Sequence, residues 1–139
     1  MTTNISKSAH PENQISTLLT VIGQPARIQI LAVLNGQEAC VCHLEAALGM
    51  RQASISQHLT VLRKAGLVVP QRNGRHVFYH LGRPEVGELL ARAAQLTSCD
   101  RDGLLSLATR PVPGCSCPQC NPGVDAALTC KKIKPIPQS

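Results

Sequence analysis

The sequence predicts a mainly α-helical chain: a winged helix-turn-helix of about five helices with a two-stranded β-hairpin wing, followed by a cysteine- and proline-rich tail. Three observations lead there. Residues 38–62, EACVCHLEAALGMRQASISQHLTVL, hold two apolar-periodic segments broken at Gly49, the pattern of two helices joined by a tight turn. Downstream, Asn73 and Gly74 stand between two β-rich runs, the strongest short hairpin signal available. Finally, residues 46–84 contain no Asp or Glu but carry Arg51, Arg63, Lys64, Arg72, Arg75 and Arg83. An ordinary solvated surface mixes signs, so a stretch of one sign suits a polyanion.

Composition narrows the class. A chain of 139 residues is expected to form one domain. Its core must be aliphatic, since Phe78 and Tyr79 are the only aromatic residues. The opening MTTNISKSAHPEN has no apolar signal region, and no run reaches the ~18 apolar residues of a membrane span. A cytoplasmic protein with no membrane partner is expected. In such a reducing compartment seven cysteines argue for metal binding or thiol chemistry over a disulfide framework. The net charge of +6 points the same way as the acid-free stretch. No nucleophile–base pattern and no G-x-x-x-x-G-K loop is visible, so no enzyme is predicted.

Residues 1–10 read as disordered. Pro11 opens a first helix whose Ile15, Leu18, Leu19 and Ile22 follow helical spacing to the stop at Gly23. A second helix, residues 26–34, is apolar nearly all round and suits a buried central position. The third, residues 41–48, turns Leu44, Ala47 and Leu48 inward. The fourth runs over residues 52–65. At 100° per residue it places Ile55, Leu59 and Leu62 on one face, and Ala53, Gln57, Thr60 and Lys64 opposite.

Gly66 ends that helix. The runs over residues 67–72 and 75–81 then form the wing, with Pro70 demanding an edge position. Pro84 opens a fifth helix to residue 95, with Val86, Leu89, Leu90 and Ala93 in register. The apolar stripes of the first and fifth helices exceed what one small core covers, so they are expected to pair across a two-fold axis in a homodimer.

From residue 99 the character changes. The tail, 99–139, carries five of the seven cysteines, with GCSCPQCNPG at 114–123. It is too poor in apolar residues to order itself unless a metal or the domain of residues 11–98 captures it. Only Leu104, Leu105 and Leu107 suggest a helical turn there.

The fourth helix and the wing form the expected interface with double-stranded DNA. Gln52, Ser54, Ser56, Gln57 and Thr60 can bond base edges, and Gln57 is best suited to a bidentate contact with adenine. Arg51, Lys64, Arg72 and Arg75 are placed to hold phosphates and fix register, and Asn73 at the hairpin tip belongs to the same DNA-binding set. His58 lies at the core boundary, where packing is as good a reading as base contact.

With these elements in order, the chain resembles the ArsR/SmtB metalloregulators, dimeric winged-helix repressors that leave DNA when a metal or metalloid binds. The resemblance covers residues 16–96 and rests on GQPARIQIL, EACVCHLEAALG, SQHLTVLRKAGLV and NGRHVFYHL. It implies a dimer, an inverted-repeat operator, and repression of efflux or detoxification genes. The E-x-CVC-x-L segment is similar to the third-helix metal site of the arsenic- and cadmium/lead-responsive members. There are departures: Glu45 stands where some arsenic sensors have a third Cys, no Cys precedes Cys40, and residues 85–95 hold no His for a fifth-helix zinc site.

Within a regular helix the side chains of Cys40 and Cys42 point ~200° apart. They can grip one ion only if the first turn deforms or lies just outside the helix, so ligation would distort the start of the third helix, which packs on the reading helix. The energies allow a switch. A structural zinc site supplies ~10–16 kcal/mol, whereas turning a population from 1:99 to 99:1 takes about 5.5 kcal/mol.

Two thiolates are too few for As(III) or Sb(III), which want three, or for Cd(II), Pb(II) or Zn(II), which take three or four. Cys115, Cys117 and Cys120 supply the deficit if the tail folds over the third helix. A separate zinc clip in the tail is the rival for those three, and plain burial is the rival for Cys40 and Cys42. His43 reads as a solvated helix residue, and Cys99 and Cys130 as bystanders. A thiol-based redox or reactive-sulfur sensor of the same fold is the alternative function.

Overall fold

The structure, a computed structural model, describes residues 10–97, 101–108, 115 and 120. In order come α1 (Pro11–Ile22), α2 (Pro25–Val33), α3 (Val41–Leu48), α4 (Gln52–Lys64), β1 (Val68–Asn73), β2 (His76–Leu81), α5 (Glu85–Leu96) and α6 (Arg101–Leu105), with a 3-10 turn over Ser106–Ala108. Both α1 and α2 begin with proline, whose fixed φ suits the first helical turn and whose missing N–H costs nothing there. Gly49 ends α3 at φ +65°, where its N–H donates to Glu45 O at 2.9 Å. That left-handed conformation favours a residue without a β-carbon, and it lets α4 start only three residues later, at Gln52.

The uniformly apolar α2 is the centre of the core. Ile30, Leu31, Val33 and Leu34 are buried together with Leu44 of α3 and Ile55, Leu59 and Leu62 of α4. The α4 stripe read from the sequence is therefore the one that faces inward. Ala53, Gln57 and Lys64 on the opposite face are exposed.

The hairpin pairs Val68 with Leu81 through Asn73 with His76, leaving Gly74 and Arg75 as its two-residue loop. The turn thus falls one residue later than the Asn-Gly pair suggested. Gly74 takes the left-handed first loop position at φ +62°, and Arg75 stands at the tip. Across from Pro70, Tyr79 turns its backbone the other way: Ala39 N donates to Tyr79 O at 2.9 Å and Tyr79 N donates to Ala39 O at 2.8 Å. Pro70 is accommodated because its partner asks for no donor. The same bridge ties the residue before Cys40 to the wing.

A sixth helix joins those read from the sequence. α6 packs on α2, Leu104 and Leu107 lie against the core, and Gln37 Nε2 donates to Ala108 O at 2.8 Å and to Val33 O at 2.6 Å. Ile15 and Leu19 on α1 and Leu96 on α5 remain 56%, 52% and 88% exposed. Between the two helices Gln14, Leu18, Val86 and Leu89 line a groove of about 410 Å³. Among the described residues no helix is long and apolar enough to cross a membrane.

Candidate metal centre and nucleic-acid interface

Cys40 is not in a helix. It is the N-cap of α3, extended at φ −88° and ψ 171°, held from behind by the Ala39–Tyr79 bridge and from ahead by Leu44 N donating to its carbonyl at 3.1 Å. The geometric conflict of a helical Cys-x-Cys pair is thereby removed, and both Cys40 and Cys42 are buried, at 5% and 8% exposure. From Cys40 a stripe runs through His43, one turn on, to Ala46. Val41 and Leu44 instead face the main core.

Tail residues Cys115 and Cys120 close over this start of α3. With Cys40, Cys42 and Phe78 they form a buried cluster separate from the main core, with Ala46 packed against it. Phe78 is there because β2 alternates: Val77 and Tyr79 serve the main core, and the residue between them points to the cysteines.

His43 is the correction to the sequence reading. It is fully buried rather than solvated, and its Nδ1 lies 3.2 Å from Cys120 Sγ and 3.6 Å from Cys115 Sγ. The ligand atoms of His43, Cys115 and Cys120 all lie within 4.8 Å of one another. Cys40, Cys115 and Cys120 carry thiols, whereas Cys42 takes part in a disulfide. A disulfide sulfur is no thiolate donor, so Cys42 can serve as the expected ligand only once reduced. Cys117, the remaining expected ligand, lies outside the described residues, as do Cys99 and Cys130. Two sulfurs and an imidazole nitrogen in an apolar enclosure fit a thiophilic cation. The Cys40–His43 spacing of three is the sequence feature that could have pointed to the histidine.

On α4, Gln57 is exposed and Gln52, Ser54 and Ser56 are partly so. Thr60 is half-buried, and its hydroxyl donates to Ser56 O at 2.9 Å, which leaves that oxygen only an acceptor role toward a base. Arg51, Lys64, Arg72, Asn73 and Arg75 are all exposed.

His58 faces inward, as the packing reading had it. Its Nδ1 accepts from Arg27 Nε at 3.2 Å, while Arg27 Nη1 donates to Val21 O at 3.0 Å. Burial, and then the Arg27 charge, hold its pKa below the ordinary histidine value. Arg27, unremarked in the sequence beyond its place in GQPARIQIL, ties α4 to α2. Burial likewise raises the Tyr79 pKa, opposed by nearby Arg63.

A helix-turn-helix with an amide- and hydroxyl-bearing face and a basic wing defines a winged-helix DNA-binding regulator. Residues 24–69 match the sequence model of the arsR family of bacterial regulatory proteins. The HTH-type transcriptional regulator NmtR of Mycobacterium tuberculosis is 39% identical over 80 residues, covering 58% of this chain and 67% of its own. The chain belongs to the ArsR/SmtB family.

Among solved structures, the transcriptional repressor BigR from Xylella fastidiosa superposes at TM-score 0.58 with 31% identity, over 64% of this chain and 90% of that one. Reduced HlyU from Vibrio cholerae gives 0.57 and 33%, over 61% and 90%. The chain spans about two thirds of the length of the relatives it matches in sequence. They are transcriptional regulators and not enzymes, in keeping with the sequence.

Proposed function

We propose that this protein is a homodimeric repressor that binds an inverted-repeat operator through α4 and the wing. It is released when As(III)/Sb(III) or Cd(II)/Pb(II)/Zn(II) is bound by cysteine thiolates, derepressing resistance or efflux genes. The ligands proposed from the sequence are Cys40, Cys42, Cys115, Cys117 and Cys120. The observation that carries this reading is the packing of Cys115 and Cys120 on the start of α3, the helix that supports the reading helix.

Two links lead from that site to DNA. α3 packs directly on α4, and Ala39 pairs with β2, so any shift of Cys40 is transmitted to both the reading helix and the wing. Gln52, Ser54, Ser56, Gln57 and Thr60 would address base edges, and Arg51, Lys64, Arg72, Asn73 and Arg75 the backbone. The dimer interface is assigned to α1 and α5.

Changing Cys117 and Cys120 to Ser is expected to abolish release from operator DNA by Cd(II) and As(III) in a gel shift while leaving operator binding intact. Undiminished release would remove the tail from the mechanism.

The Cys42 disulfide favours a second reading, a thiol redox or reactive-sulfur sensor on the same fold. Titrating the reduced protein with As(III) and Cd(II) and following thiolate charge-transfer absorbance separates the two. An ion sensor shows saturable bands coupled to DNA release, and a redox sensor responds only to oxidant or polysulfide.

A further inference from the structure

We propose, resting on the ion-released reading above, that His43 is a nitrogen ligand of the site between α3 and the tail, and that it selects borderline divalent ions such as Zn(II), Co(II) and Cd(II) over As(III). His43 is fully buried in the first turn of α3, beside the cysteine cluster. Its Nδ1 stands 3.2 and 3.6 Å from the sulfurs of Cys120 and Cys115. With Zn–S near 2.3 Å and Zn–N near 2.0–2.1 Å, tetrahedral ligands place sulfur and nitrogen ~3.6 Å apart. The imidazole nitrogen therefore already stands near ligand-to-ligand distance from both sulfurs. Cys40, one turn before His43 and in the same buried cluster, lies outside that close set and would move in to serve as the fourth donor.

The donor chemistry decides the ion. Imidazole combines readily with thiolates around Zn(II) and its neighbours, whereas As(III) is satisfied by sulfur alone. Ligation uses the Nδ1 lone pair of the neutral imidazole and displaces the thiol protons of Cys40, Cys115 and Cys120 to solvent. Uptake therefore releases protons and weakens in acid.

The test uses the full chain, kept reduced by a phosphine that does not chelate. X-ray absorption of the Zn(II)-loaded protein is expected to show one nitrogen in a sulfur-dominated shell, and Co(II) to give the d–d bands of a tetrahedral mixed site. His43→Gln should weaken Zn(II) binding by at least ~100-fold, since even second-sphere losses cost 10–100-fold. His43→Cys should shift operator release from Zn(II) toward As(III). An all-sulfur zinc shell overturns the assignment even if His43→Gln fails to fold, because it is read on the unmodified chain. As(III) release with no Zn(II) or Co(II) uptake also overturns it while the repressor reading stands. If neither ion releases operator, the ion-released reading itself falls.

Discussion

Cys40 and His43 gain their meaning from one turn of chain. Cys40 is extended and His43 helical, yet the three-residue step brings both to the surface that the tail covers. A histidine in the short helix VCHLEAAL gives no sign in sequence of such a cover. Its burial belongs to a contact 77 positions away, with Cys120.

His58 is the other histidine decided by its surroundings. As an acceptor from Arg27 it must stay neutral, and its folded pKa lies below the unfolded value near 6.5. The unfolded chain then binds more protons, so this contribution to stability is present above about pH 6.5 and is lost as pH falls toward the folded pKa. Urea midpoints measured from pH 7.5 to 5 should drop through that window. In His58→Gln, whose amide oxygen can accept from Arg27 at every pH, the drop should be smaller. Identical pH profiles would refute the role.

Each element here does a local task that its residues prescribe. α4 is the plainest case: Ile55, Leu59 and Leu62 are buried to 1% exposure or less, and the opposite face is left to solvent. Leu59→Ala should cost about 2–5 kcal/mol by loss of burial and creation of a cavity. Gly49→Ala has open space around its β-carbon and should cost only the strain of φ +65°, roughly 1–2 kcal/mol. Equilibrium denaturation ranks the two. A larger loss at Gly49 would mean that the turn carries more than conformation. The hairpin was legible except for its one-residue offset, which arises because pairing extends through Asn73 and His76 rather than stopping before the Asn-Gly dipeptide.

At the scale of the molecule, exposed Ile15, Leu19 and Leu96 on α1 and α5 leave apolar surface that a second copy is proposed to cover. Leu19→Glu with Leu96→Glu should give monomers in sedimentation and weak operator binding, with little change in melting temperature because both sites are solvated within the subunit. A dimer that persists would place the interface elsewhere.

The amino-acid sequence by itself determined the helix stripes, the central α2, the wing and the acid-free basic stretch. All of these follow from periodicity and turn chemistry within ten or twenty residues. Only the tertiary structure decided that the Ala39–Tyr79 bridge joins the thiols to the wing, and that His43 sits beside Cys115 and Cys120. Those facts depend on chain closure over long separations, where no local period records which distant residue arrives and the favourable partner is selected by burial and donor chemistry together.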